Sequence, residues 1–329
     1  MRYYSLLLSL LLFSCKDALD TVVTADPYTE IKKALSIDPA ALENYAAQGK
    51  PAYVNKDNTA ANPITDKTAS LGRVLFYDKN LSTNNTIACA SCHKQEFAFG
   101  DTATTSLGVE NGRTVRHSMR LINTRYAIET KFFWNERAAS LEAQTTMPIV
   151  DHLEMGFSGQ TGRGNLTSLI TKLNGIGYYK ELFKLAYGDA TITEARMQTA
   201  LAQFVRSIQS FDSKYDVGRA QVPNDGAPFP NFTAQENAGK TLFLTPPIFN
   251  GNSERIGGGF GCQGCHQAPE FDIDPNSRNN GFIGVIGSTQ IDLDNTRSPS
   301  LRDILNASGV ANTPFMHTAV PVNIRQVLA

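Results

Sequence analysis

Two short stretches decide how this chain reads: Cys89-Ala-Ser-Cys92-His93 and Cys262-Gln-Gly-Cys265-His266. Both are C-x-x-C-H, the pattern of c-type haem attachment. Two thiols three residues apart share one helical turn, so each can form a thioether with a haem vinyl, while the adjacent histidine offers its imidazole to the iron. A zinc site could use the same cysteines with a histidine, as could a thioredoxin-like redox pair. Neither accounts for a histidine directly after both pairs. The expectation is two covalently bound haem c groups, one on Cys89, Cys92 and His93 and one on Cys262, Cys265 and His266, with His93 and His266 on the irons.

The surroundings of the motifs recur. Leu71-Gly72-Arg73-Val74-Leu75-Phe76 precedes the first and Ala238-Gly239-Lys240-Thr241-Leu242-Phe243 the second. Arg116 to Asn123 follows the first, and Arg297 to Ile304 the second. This predicts two haem domains of similar plan, related by an internal repeat. Residues 51–220 form the N-terminal domain and 231–329 the C-terminal one, joined through Gly218–Asn231, where Val222 to Pro230 reads as a linker. The pattern is mainly α. Met197, Leu201, Phe204, Val205, Ile208 and Phe211 make a helical stripe begun at Thr191 or Thr193, and Thr233 with Glu236 is a capping box for Ala234–Leu244. Shorter helices are expected at Ala69–Tyr77, Ser140–Thr146, Leu166–Leu173 and Tyr178–Tyr187, with glycine-rich loops at Gly156–Gly164 and Gly257–Gly261 and no run of strands.

The fifth cysteine, Cys15, lies apart. Behind Arg2 an apolar run from Leu6 to Phe13 is too short to span a bilayer but suits a signal peptide over residues 1–14. Leu12-Phe13-Ser14-Cys15 resembles a bacterial lipobox, with Cys15 the lipidated residue; a plain secretory signal would serve export equally. Residues 15–50 read as a tether, and the protein is expected in the periplasm or cell envelope, on the membrane through its lipid anchor. Two cysteines per haem and one for lipid leave no disulfide. Across 329 residues, 30 basic side chains nearly balance 31 acidic ones, which gives no broad attraction for nucleic acid. Charged residues at 19% and hydrophobics at 41% exclude a disordered tail protein and a polytopic membrane protein.

From Leu71 onward the chain resembles the bacterial dihaem cytochrome c peroxidase family, which includes the MauG-like enzymes. The resemblance rests on Leu75-Phe76-Tyr-Asp78 with Leu81-Ser82, Phe133-Trp134-Asn-Glu-Arg137-Ala138, Glu142-Ala-Gln144 with Met147-Pro148, Glu154-Met155-Gly156, and Thr313-Pro314-Phe315-Met316-His317. It implies that the first haem cleaves peroxide and the second relays electrons. Glu154 would be the catalytic carboxylate, Gln144 a hydrogen-bonding group and Pro148 a wall on the peroxide side, and Trp134 the relay between haems.

Departures matter as much. Many relatives carry an iron-binding histidine in the loop after the first haem, and here the stretch is Ser106-Leu-Gly-Val109-Glu-Asn. The first haem is therefore expected to be five-coordinate or water-bound when oxidised. His117 falls where the resemblance places a calcium ligand between the haems, usually asparagine; backbone carbonyls near Asn312 and Pro314 are the remaining candidates for calcium. His152 reads as a loop or core residue, and His317 as packing near the second haem. Met316 is the nearest thioether to that haem, whereas the resemblance puts its sixth ligand beyond Ala329; the chain stops inside a starting helix, Val322–Ala329, as an incomplete C-terminal domain would.

The function expected is reduction of hydrogen peroxide by electrons from a small cytochrome c or cupredoxin. The alternatives are a MauG-like ferryl oxidase acting on a protein or organic substrate, and a dihaem electron carrier without chemistry of its own. A homodimer is left open.

Overall fold

A computed structural model describes residues 26–128, 131–272, 279–306 and 308–328. The expected signal peptide and Cys15 lie outside the described residues. Among these there are ten helices and one two-stranded hairpin, so the mainly α expectation holds. The helices are α1 (Thr29–Leu35), α2 (Asp66–Tyr77), α3 (Cys89–Cys92), α4 (Leu141–Val150), α5 (Leu166–Asn174), α6 (Gly177–Tyr187), α7 (Glu194–Ser207), α8 (Lys214–Arg219), α9 (Ala234–Leu244) and α10 (Ile324–Leu328). No helix among the described residues is long and apolar enough to cross a membrane.

The core sits where α2 and α4 pack on α7. The hydroxyl of Thr65 accepts the Thr68 amide and starts α2 three residues ahead of the expected Ala69. Leu71 and Leu75 are fully buried beside Met197 and Leu201 of α7, in one apolar cluster with Phe76 and Phe204. Each such side chain contributes about 1.5–3 kcal/mol by leaving water. Gly72 sets the closeness of the crossing: a Cβ there would stand 2.0 Å from the Ala200 carbonyl oxygen. Arg206 of α7 pairs with Glu142 of α4, whose Oε1 also accepts Asn62 Nδ2 at 2.8 Å. Glu142, quoted among the family motifs, is thus tied into the scaffold.

Thr193 caps α7, which ends at Ser207. The expected stripe continues past that end. The Ile208 carbonyl and the Ser210 amide are both taken by Asn123, so Phe211 leaves the helix and stacks edge-on against Tyr126. The tether needs a similar correction over its described part. Glu181 of α6 accepts the amides of Glu30 and Ile31, and Ile31 is fully buried, so this stretch is docked on the body. The expected linker begins inside α8 and is anchored too: Phe229 is buried, with Lys240 over its ring, and Arg219 pairs with Asp225.

α9 occupies Ala234–Leu244, the span its capping box predicts. The stretch after it corrects the loop expectation: β1 (Pro247–Phe249) pairs antiparallel with β2 (Arg255–Gly258). The N- and C-terminal parts are joined by a buried ion pair between Asp216 and Arg302 and by Lys56, which reaches Glu270 and Asp272.

Candidate active site

The two C-x-x-C-H motifs fold alike. In each, the histidine amide donates to the carbonyl of the first cysteine at 2.9 Å, so the motif closes one turn. In each, the chain then doubles back through an antiparallel bridge, Lys94 with Gly100 and Gln267 with Asp272.

Cys89, Cys92 and His93 border a cavity of about 180 Å³. His93 Nδ1 donates to the Phe99 carbonyl at 3.0 Å, which fixes the ring and makes Nε2 the nitrogen a metal would take. Enclosure holds the His93 pKa below its ordinary value, keeping the neutral imidazole that iron needs. The same desolvation pushes the Cys89 thiol up to about 12 and the Cys92 thiol to about 11. Two thiols and a neutral imidazole on one turn beside a cavity are the donor set of a haem c. Among the described residues no three His, Cys, Asp or Glu side chains gather as a metal-ion site, so the zinc alternative has no cluster to rest on.

A second cavity of about 100 Å³ is bordered by His266, with Phe315, Met316 and His317 opposite in sequence. Of its motif only His266 reaches this wall; Cys262 and Cys265 stand off it, part-exposed. Enclosure pushes the His266 pKa down to about 4, and its Nδ1 is buried with no hydrogen-bond partner among the described residues. A histidine so placed fits a haem ligand. The Met316 thioether, which borders the cavity, accepts from Asn280 Nδ2 at 3.6 Å.

The far side of the first cavity is built by α4 and the turn after it. Ser140 caps α4, and Gln144 and Pro148, four residues apart on one face, both border the cavity. Pro148 brings no N–H, so the Gln144 carbonyl loses its helical donor. After α4, Asp151 Oδ1 accepts the amides of Leu153 and Glu154 (2.8 and 3.1 Å), and the turn carries Glu154 to the cavity wall. Desolvation, with the Asp151 charge adding to it, pushes the Glu154 carboxyl up to about 7, against a lowering pull from Arg137.

The loop that lacks the histidine is docked on this turn. Val109, 1% exposed, donates its amide to the Glu154 carbonyl at 3.0 Å. A Cβ on Gly108 would lie 1.8 Å from the Leu153 carbonyl oxygen, so only glycine permits the approach. Arg163 clamps the assembly by donating to Glu110 and to the His152 carbonyl. His152 does not border the cavity; its Nδ1 meets Ser158 Oγ at 2.8 Å.

Trp134 borders both cavities. Its Nε1 donates to the His117 carbonyl at 2.8 Å, and its own carbonyl accepts the Thr296 and Arg297 amides at 3.0 Å. The His317 ring lies 6.0 Å from it, centroid to centroid, and the His317 carbonyl accepts the His117 amide at 2.9 Å. The tryptophan is thus held by the sequences following both motifs. The expected calcium ligands are differently engaged. The Asn312 carbonyl accepts Arg120 Nη1 at 3.2 Å, and His117 Nδ1 donates to the Ala103 carbonyl at 2.9 Å. Pro314 borders the second cavity. Sequence reasoning missed Arg120 and passed over Arg137, whose guanidinium lies 3.5 Å above the Phe133 ring. Arg120 sits unremarked within the recurring stretch Arg116 to Asn123, and Arg137 within the motif that begins at Phe133.

Residues 66–221 match the family model described as di-haem cytochrome c peroxidase. The methylamine utilization protein MauG of Methylophilus methylotrophus is 30% identical over 267 residues, covering 78% of this chain and 70% of that protein. A cytochrome c551 peroxidase of Nitrosomonas europaea is 29% identical over 192 residues, 56% of this chain and 54% of that one. Among solved structures, a MauG-like protein associated with microbial copper homeostasis superposes with a TM-score of 0.64 at 25% identity, covering 85% of this chain and 80% of its own. The chain belongs to the di-haem cytochrome c peroxidase and MauG family. It is accordingly an oxidoreductase of a class that carries two haem groups.

Proposed function

We propose that this protein reduces hydrogen peroxide to water, H2O2 + 2 H⁺ + 2 e⁻ giving 2 H2O, with electrons from a small cytochrome c or cupredoxin. The observation that carries this reading is one cavity bordered by Cys89, Cys92 and His93 from one side and by Glu154, Gln144 and Pro148 from another. Cys89, Cys92 and His93 would hold a haem, which when bound would supply iron chemistry for cleaving the O–O bond. Glu154 takes the proton from the near oxygen of peroxide and returns it to the departing one, a service worth about 10²–10⁴-fold. Its pKa near 7 suits a group that must both accept and donate. Gln144 orients the peroxide, Pro148 closes the wall, and Trp134, bordering both cavities, passes electrons from the His266 side. The shared local plan of the two motifs supports two haem domains related by a repeat, and Cys15 supports export to the periplasm on a lipid anchor.

A MauG-like oxidase is the second reading. Val109 favours it, because the loop bearing it is packed away on the Glu154 turn and offers the iron no side chain that must first dissociate. Stopped-flow mixing of peroxide with oxidised and with half-reduced protein tests both. Turnover with a reduced small cytochrome establishes the peroxidase. Rapid reaction with no turnover from such donors selects the oxidase, and inertness in both states leaves only an electron carrier.

A further inference from the structure

Among the described residues, Arg120 has no carboxylate within ion-pair distance. Arg120 borders both cavities, as do Trp134 and Arg297. Nη1 donates to the Asn312 carbonyl, and the guanidinium carbon sits 5.4 Å over the Phe315 ring. Nε is buried and finds no hydrogen-bond partner among the described residues. No carboxylate among them lies within ion-pair distance; Asp303 attracts it only from further away. Gly100 packs against its stem, where a Cβ would stand 3.0 Å from Arg120 Cγ. Desolvation has drawn even this guanidinium down to about 10, and its field helps keep His117 and His266 neutral.

An enclosed guanidinium with an unused N–H is costly unless an anion meets it. The group that each cavity is built to receive brings carboxylates of its own, the haem propionates. We propose that Arg120 binds a haem propionate and is itself the positive charge between the two haem sites, in place of a divalent metal ion. This rests on the dihaem reading. Guanidinium and carboxylate make a charge-assisted, fork-shaped pair, and the Asn312 carbonyl, expected as a calcium ligand, serves instead to aim the fork. A divalent ion on that carbonyl would sit beside a buried cation, which Coulomb repulsion opposes.

The test uses the holoprotein. Haem per chain is first measured by pyridine haemochrome; fewer than two in the wild type would overturn the dihaem reading and the proposal with it. Arg120→Met and Arg120→Lys are then compared by redox titration and by the resonance Raman propionate-bending band, with and without EGTA. We expect Arg120→Met to shift that band and to favour the oxidised form of at least one haem by tenfold or more, about 59 mV for one electron. Arg120→Lys should retain most of the wild-type potential, and EGTA should change neither protein. Should Arg120→Met fail to load haem, the Lys variant still decides, by whether a retained charge retains the potential. Unmoved band and potentials at full haem content, or an EGTA-dependent shift in the wild type, would overturn the proposal alone.

Discussion

The backbone amide of Val109 donates to the carbonyl of Glu154 across 3.0 Å. The loop in which the family resemblance leads one to expect an iron-binding histidine is therefore engaged in holding the turn that carries Glu154. Val109 and Glu154 belong to one structural feature, because the loop that bears the first supports the turn that bears the second.

The first expectation concerns the oxidised protein. With Val109 buried on the turn, the first haem should be high-spin in the ferric state, and peroxide should react without prior reduction. Electron paramagnetic resonance of the oxidised protein checks this. A purely low-spin, bis-histidine spectrum for that haem would be incompatible with it.

Glu154→Gln should slow the reaction with peroxide by about 10²–10⁴-fold while haem content stays at the wild-type level. In the wild type the rate should rise with pH through about 7 as the carboxyl ionises and can accept the proton. Because the folded pKa is raised above the ordinary carboxylate range, the neutral group stabilises the fold at low pH, and that contribution is lost as pH rises through about 7. The Tm difference between wild type and Glu154→Gln should therefore shift in favour of the variant over that window. A rate profile unchanged by the substitution would remove Glu154 from the chemistry.

Gly108→Ala places a Cβ at 1.8 Å from the Leu153 carbonyl oxygen, a clash that only a shift of backbone relieves. The turn must move, and the rate with peroxide should fall at least tenfold although no reacting group has changed. Gly112, which packs on the same turn, is left in place; with haem content measured at the wild-type level, a wild-type rate would show that the turn's placement is not critical.

Gly72→Ala addresses stability alone. Its Cβ would meet the Ala200 carbonyl oxygen at 2.0 Å and force α2 off α7. Overpacking of this kind costs about 1–3 kcal/mol, readable as a lower midpoint in denaturant with unchanged slope.

Trp134→Phe keeps an aromatic ring but loses the 2.8 Å bond to the His117 carbonyl. Peroxide should still react with the first haem at close to the wild-type rate, while re-reduction from the second haem slows. Equal re-reduction rates would mean that electrons pass elsewhere.

Local chemistry was legible without any structure. The histidines after both cysteine pairs, the caps at Thr193 and Thr233, and the apolar stripe of α7 depend on contacts within one or two turns, so spacing alone reveals them. The same logic failed at its edges. Phe211 keeps the helical period, yet Asn123, more than eighty residues earlier, captures the neighbouring backbone and ends the helix. Residues 29–35 have too few apolar positions to announce a core helix, but one buried Ile31 and the Glu181 carboxylate suffice to dock them.

The sequence by itself determined the cofactor chemistry, the helical class and the carboxylate to be tested, since each is written in residue types at short, fixed intervals. Only the tertiary structure decided that Val109 supports Glu154, that Trp134 borders both cavities, and that Arg120 borders both with no carboxylate in ion-pair reach among the described residues. Those relations join residues far apart in the chain, and their energies come from desolvation and close approach, which exist only once the chain has closed around them.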